Sequence, residues 1–408
     1  MLSSFFPQPK IFFWSLFFWS AFCVFIWFLC FKGIEPTVIN HIFGTHFNSL
    51  EKTPIIGVKA LFTFPLICFY IYFFVVVGIF YIFWGIYSPH SFQVWSIFGS
   101  SCIIFSTFIQ VELSVVINAW YGPFWDLIQS AVSKPGSVKL SEFYSSMWTI
   151  VEVLLLMVLL NTITSFLVSH YIFRWRNAMS DYYLKNWSFL REIEGASQRI
   201  QEDTMRFSMI VEGLAIDFVE NIMTLIAFTP IFIMLSKHVM ELPIIGIIPY
   251  PLLFVAVFWS LFGTVILFLV GWKLPGLGFK NQKVEAAFRK ELVYGEDDSM
   301  RASPEITRKL FNDIRKNYLM MYFHYLYFNV VKYLYLQLDV IIPYVVLGPT
   351  IISGKVSLGI ITQIMSAFSK VRSSFQYLVS SWSTIIELIS IYKRLSSFEK
   401  TLENKTSH

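Results

Sequence analysis

Long apolar runs alternate with short polar islands along this chain. Windows of about 20 apolar residues, the length that crosses a bilayer as a helix, recur near residues 11–31, 61–87, 94–117, 148–171, 207–235, 248–272, 320–347 and 357–382. Eight spans are therefore predicted. If the first enters from the cytoplasm, the segments on that side hold 21 Lys and Arg against 7 on the other, and the positive-inside rule places both termini in the cytoplasm. The narrowest separation is Tyr87-Ser88-Pro89-His90, a short turn between two long spans.

The islands carry their own pattern. Residues 172–206 and 273–318 are rich in helix formers, with opposite charges three or four apart such as Arg199 and Asp203, Glu202 and Arg206, and Glu285 and Arg289. These read as spans prolonged into the cytoplasm. Pro275 marks a bend and Pro304 a helix start. Residues 32–60 read as an irregular periplasmic loop, and Glu241 to Pro251 as a proline-fixed hairpin. The organisation expected is two N-terminal spans over residues 1–93, a six-helix core over 94–390 carrying both extensions, and a cytoplasmic tail from 391 to 408.

Composition agrees. Of 408 residues, 56% are hydrophobic, 19% aromatic and 14% charged, with mean hydropathy +0.62, more apolar surface than a soluble core can hide. The class is an all-α polytopic membrane protein. Cys23, Cys30, Cys68 and Cys102 lie in apolar runs without a CxxC pair, which argues against a disulfide framework or a zinc site. The first apolar run is longer than a signal-peptide core and lacks a small-residue cleavage site, so it is expected to remain as a span.

Acids inside an apolar span are the first sign of chemistry. Gln198 to Phe228 runs from a charged stretch into an apolar one that keeps Glu212, Asp217 and Glu220. On one uninterrupted helix, at about 100° per residue, Glu202 and Glu220 share a bearing, with Glu212 about 80° to one side and Asp217 about 60° to the other. Each carboxylate costs about 3 kcal/mol at mid-membrane. Such a line implies an acid-lined transport path, or acids solvated or paired in a helix interface. The last span adds Thr362, Ser366, Ser369, Ser373, Gln376, Ser380, Ser383 and Glu387, spaced alternately four and three apart on one helical stripe. That stripe lines a wet cavity or lets helices approach closely. Lys370 and Arg372 beside it need water or an acid, for which Asp339, Glu112 and Glu152 are candidates.

NAWYGPFWDLIQ, from Asn118 to Gln129, reads as an amphipathic aromatic turn followed by a loop. Its Trp120, Tyr121, Phe124 and Trp125 suit an interface belt or contact with a passing substrate. Enzyme motifs are missing: GPTIISGK, from Gly348 to Lys355, has five residues between its glycines and no Ser or Thr after the lysine, so it is no phosphate-binding loop. There is no HExxH, no GxSxG and no His/Cys cluster. His324, between Phe323 and Tyr325, reads as a packed or interfacial histidine rather than a ligand.

Taken together, FFPQP, IYSPH, NAWYGPFWDLIQ, SHYIFRWRNAM, QRIQEDTMRF, ELPIIG, LPGLGFKNQKVEAAFRKELVYGEDD, YFHYLYFN and SIYKRLSSFE resemble the SbmA/BacA family of peptide antibiotic transporters over nearly the whole chain. The resemblance implies a homodimer in the bacterial inner membrane. Its six-helix core would be like the membrane domain of an ABC exporter, with no nucleotide-binding domain. It also implies import of peptides and peptide-like antibiotics, including microcins, bleomycin and proline-rich antimicrobial peptides, driven by the proton gradient without ATP or another cofactor. Peptides, membrane lipid and a second copy are then the partners, and nucleic acid is not. Proton-coupling glutamates in the family's cavity carry over to Glu202, Glu212, Glu285 and Glu296, with Tyr294 and Trp125 as weaker candidates. Asp217 and Glu220 stand on the helical-face argument alone, and Ser366, Ser373, Gln376 and Ser380 on the stripe. Three rivals remain: a membrane subunit that exports lipid or fatty acyl groups with a separate ATPase, a non-transporting scaffold, and an intramembrane acyl-transfer enzyme for which no nucleophile and base pair is found.

Overall fold

A computed structural model describes residues 1–32, 55–191, 196–239, 246, 250–298 and 300–406. Most of the expected periplasmic loop and the Glu241-to-Pro251 hairpin lie outside the described residues. Ten helices carry the architecture: α1 Pro9–Lys32, α2 Phe64–Tyr87, α3 Ser100–Ser133, α4 Leu140–Lys185, α5 Thr204–Ser236, α6 Pro251–Gly271, α7 Leu274–Asp297, α8 Pro304–Ile352, α9 Leu358–Ser380 and α10 Trp382–Thr406. No strand occurs among the described residues. One π-helical turn, Val94–Gly99, leads into α3, and another, Arg199–Asp203, leads into α5.

Among the described residues, seven helices are long and apolar enough to cross a membrane. The eighth predicted span is α9, whose polar stripe and two basic residues keep its hydropathy below the others. Outward-facing residues such as Trp14, Phe18, Leu155 and Leu269 are 62–67% exposed, as expected of a lipid-facing surface. The extensions are also helical: α4 runs on to Lys185, and α8 starts at Pro304, capped by the Ser303 hydroxyl that accepts from Ile306 N at 3.4 Å. Pro304 sits where its missing N–H costs nothing.

The chain divides into two compact units, one comprising Met1–Leu235, Val356–Val371 and Glu387–His408, the other Ser236–Lys355 and Arg372–Ile386. In the first, Phe5, Phe6, Trp84, Tyr171, Trp175, Tyr183, Ile391, Leu395 and Phe398 form one buried cluster. The FFPQP motif thus plugs an aromatic core: Phe5 stacks on Trp175 at 5.5 Å and meets Tyr171 edge-on at 5.2 Å. The expected C-terminal tail is helix α10, with Leu395 and Phe398 fully buried.

NAWYGPFWDLIQ is not a turn, because α3 continues through it to Ser133 with Pro123 inside; the loop expected after it begins at Lys134. Proline there removes the amide that would bond the Ala119 carbonyl. Gln363 of α9 compensates, its Nε2 donating to Ala119 O at 3.3 Å and to Asn118 O at 3.2 Å, while Asn118 Nδ2 returns a bond to Gln363 O at 3.0 Å. Further along, Asp126 Oδ1 accepts from Gly359 N and Gln129 Oε1 from Leu358 N, both at 2.8 Å. Side chains from α3 therefore cap the N-terminus of α9, where free amides would otherwise be orphaned. Closeness demands glycine: a Cβ at Gly122 would lie 2.8 Å from Gln363 Nε2, and one at Gly359 would collide with the Gly122 carbonyl. Trp120 and Phe124 are buried core residues stacked at 4.2 Å, with Trp120 Nε1 donating to Ser146 O at 2.9 Å. An interface belt or substrate contact is thereby overturned for these two.

The second unit holds α6, α7, α8 and the second half of α9. Its hairpin of α7 and α8 is joined by Asn317, whose Nδ2 donates to Asn281 Oδ1 at 3.1 Å, and by Phe288 against Phe311 at 5.9 Å. Trp259 of α6 stacks on Tyr335 of α8 at 5.3 Å.

Candidate functional site

The acids of residues 202–220 are spread over an arc of about 140°, and packing separates its two edges. The π turn Arg199–Asp203 runs without interruption into α5, so one helix carries all four, with Glu212 on the packed edge of the arc and Asp217 and Glu220 on the exposed one. Glu202 Oε1 pairs with Arg206 at 2.9 Å and its Oε2 accepts from Gln198 at 3.0 Å. Arg206 also reaches Glu387 of α10 at 3.2 Å. Asp203 is buried and gripped by Arg394, whose Nη2 and Nε donate to Oδ1 and Oδ2 at 2.8 and 3.0 Å. These bonds stabilise the charged guanidinium and raise its pKa.

Almost three turns on, Glu212 is on the packed side of α5. It is 7% exposed, beside Val211 and Ile216 of the aromatic cluster, and its Oε1 has no partner among the described residues. Asp217 and Glu220 face outward. Lys370 of α9 lies within electrostatic reach of Glu220, a partnership different from the three acids expected for it. A carboxylate inside a membrane helix without a full set of donors is costly when ionised.

The remaining candidates lie in the second unit, apart from Trp125 and Ser366. Glu285 is half-buried on α7 and Glu296 is exposed near its end. Tyr294 is flanked by two cations, Lys290 Nζ at 5.4 Å and Arg301 Cζ at 5.2 Å from its ring. Trp125 is packed against Phe124 at 6.1 Å and its Nε1 is buried without a partner among the described residues.

The stripe of α9 is real over Thr362 to Ser380. Ser369, Ser373 and Ser380 are exposed and Ser366 and Gln376 half-buried, while Ile364, Ala367, Phe368 and Val371 are 0–1% exposed. Its last member does not belong to it, because the helix is interrupted at Ser381 and Glu387 stands on α10, paired with Arg206. Arg372 pairs with Asp339, one of the acids expected to balance it.

A polar face of α4 escaped the sequence reading. Asn161, Thr162, Ser165, Ser169 and His170, with Phe166 and Phe173, line an open groove of about 780 Å³ in the middle of a membrane helix. The signal was the spacing of one, four, eight and nine residues from Asn161 within a run read only for its hydropathy. No group of three or more His, Cys, Asp or Glu able to hold a metal occurs among the described residues.

Comparison with known proteins adds the lineage. A model of the SbmA/BacA-like family matches residues 89–403. The chain is 26% identical over 250 residues to an uncharacterized ABC transporter ATP-binding protein of Synechocystis, covering 59% of this chain and 36% of that protein. It is 28% identical over 252 residues to the chloroplastic ABC transporter D family member 2 of Arabidopsis thaliana, covering 57% and 33%. It is 24% identical over 328 residues to the inner membrane ABC transporter ATP-binding protein YddA of Escherichia coli, covering 73% and 56%. The chain thus spans between a third and just over half the length of these relatives.

Proposed function

The chain belongs to the SbmA/BacA-like family, and as a multi-pass membrane transporter of that family we propose that it imports peptides and peptide-like antibiotics by alternating access, driven by the proton gradient. The reading places it in the bacterial inner membrane as a homodimer with both termini cytoplasmic, using no ATP. The observation that carries it is Glu212, a buried carboxylate in a membrane helix whose Oε1 has no partner among the described residues. Protonation from the periplasmic side removes its charge and favours one arrangement of the helices, and release to the more alkaline cytoplasm restores the other. Each proton moving inward gains about 2.3 kcal/mol per 100 mV of membrane potential.

Outward-facing Asp217 and Glu220 add negative potential that draws cationic peptides. Glu202, Glu285 and Glu296 are the further proton-coupling candidates. The test is peptide accumulation in nucleotide-free proteoliposomes under an imposed pH gradient. A second reading, a membrane subunit exporting lipid or fatty acyl groups with a separate ATPase, is favoured by the ATP-binding names of the relatives. It predicts no accumulation in that assay until an ATPase and ATP are supplied.

A further inference from the structure

Three helices of the second unit meet at a polar ladder inside the membrane region. Asp339 of α8 is 2% exposed, and both of its carboxylate oxygens are engaged: Oδ1 accepts from Trp259 Nε1 of α6 at 2.9 Å, and Oδ2 pairs with Arg372 of α9. One turn earlier on α8, Tyr335 donates its hydroxyl to Trp259 O at 3.2 Å and accepts from Gln376 Nε2, one turn beyond Arg372 on α9. Gly263, one turn beyond Trp259, leaves room for the Tyr335 ring, which an added Cβ would strike. Each helix therefore contributes residues four apart, the repeat that stacks side chains on one face.

The ladder is unequal at its edge. Asp339 is sealed inside, whereas Arg372 keeps 18% of its side chain exposed, on the helix that bears exposed Ser373 and Ser380. Its Nε is buried and has no partner among the described residues. An arginine beside a polar, open helix face would repel cations, and a fixed acid directly behind it cancels most of that field.

We propose that Asp339 is a charge-selectivity residue: by neutralising Arg372 from behind, it keeps the polar stripe of α9 permissive to cationic peptides. This rests on the import reading above. Asp339 acts through Arg372 and has no need to touch the substrate. Loss of the acid exposes a positive charge to the path, whereas loss of the arginine leaves a sealed negative charge that favours cations. Removal of both charges restores neutrality, and a neutral buried pair is tolerated where half a pair is not.

The experiment compares two fluorescent decapeptides, one with four arginines and the other with glutamines in their place, in proteoliposomes under a pH gradient. Melting temperature is measured for every variant. Asp339→Asn is expected to lower the ratio of cationic to neutral uptake roughly fivefold or more, Arg372→Gln to raise it, and the double variant to bring it back near the wild-type ratio. Should Asp339→Asn not fold, Arg372→Gln and the double variant decide the matter by the same ratios. Equal changes in both peptides across the variants, as a purely structural pair would give, overturn the inference while leaving the import reading intact. Uptake of neither peptide by the wild-type protein overturns both.

Discussion

Arg394 holds Asp203 by both carboxylate oxygens, at 2.8 and 3.0 Å, and so ties α10 to the π turn that opens α5. Asp203 is buried but Arg394 is 43% exposed, so only part of the penalty for stranding a buried charge applies. Arg394→Ala is expected to destabilise the protein by about 1–3 kcal/mol, and Arg394→Lys to recover a fraction, because an ammonium cannot reproduce the two-pronged geometry. Thermal unfolding in detergent measures both.

Glu212→Gln removes the carboxylate that the import reading assigns to proton coupling while keeping its size. Since the wild-type carboxylate is buried and incompletely bonded, stability should stay within about 0.5 kcal/mol or rise. Peptide accumulation under a pH gradient should disappear. Undiminished accumulation by a well-folded Glu212→Gln protein would remove Glu212 from proton coupling.

Gly359→Ala should cost about 1–3 kcal/mol or more, because the added methyl meets the backbone carbonyl of Gly122, which has nowhere to go. Gly122→Ala should cost less, since its new contact is the end of the flexible Gln363 side chain at 2.8 Å. It also pushes that amide off the carbonyl freed by Pro123. Melting temperatures of the two variants give the order.

His90 lies in the short turn between α2 and the π turn before α3. Burial lowers its pKa from the ordinary 6.5, with a backbone hydrogen bond to Ser3 acting in the opposite sense. The fold therefore favours the neutral imidazole, whose Nδ1 accepts from Phe92 N at 3.2 Å. Its contribution to stability is complete above about pH 6.5 and declines as pH falls from there toward the lower folded value. In His90→Asn, which keeps an acceptor but does not titrate, the loss of melting temperature between about pH 7.5 and pH 5.5 should be smaller than in the wild-type protein.

The membrane helices were legible because the bilayer imposes both their length and their composition. Ser303-Pro304 was legible as a helix start for an equally local reason, a cap followed by a residue that needs no amide partner. What failed depended on distant partners. NAWYGPFWDLIQ looked like a turn because the donor that replaces the amide missing at Pro123, Gln363, is 240 residues away in sequence. Glu212 looked like part of one line because helical spacing gives the bearing of each acid but not which edge of the arc is packed. Which side of α5 packs is set by Phe5, Trp175 and their neighbours. Asp339 was named as a partner for Arg372 since buried opposite charges inside a membrane have few other options, and the two are paired. The α4 groove was overlooked because its polar residues are diluted among leucines and phenylalanines, and average hydropathy hides a one-sided pattern.

The exchange of amide bonds between Asn118 and Gln363, with Asp126 and Gln129 clasping the first residues of α9, makes α3 and the first half of α9 one mechanical part. A torque delivered to either is delivered to both, as in a welded bracket. Probes on these two segments should therefore keep step in a time-resolved measurement, and a crosslink between them should cost the working cycle nothing.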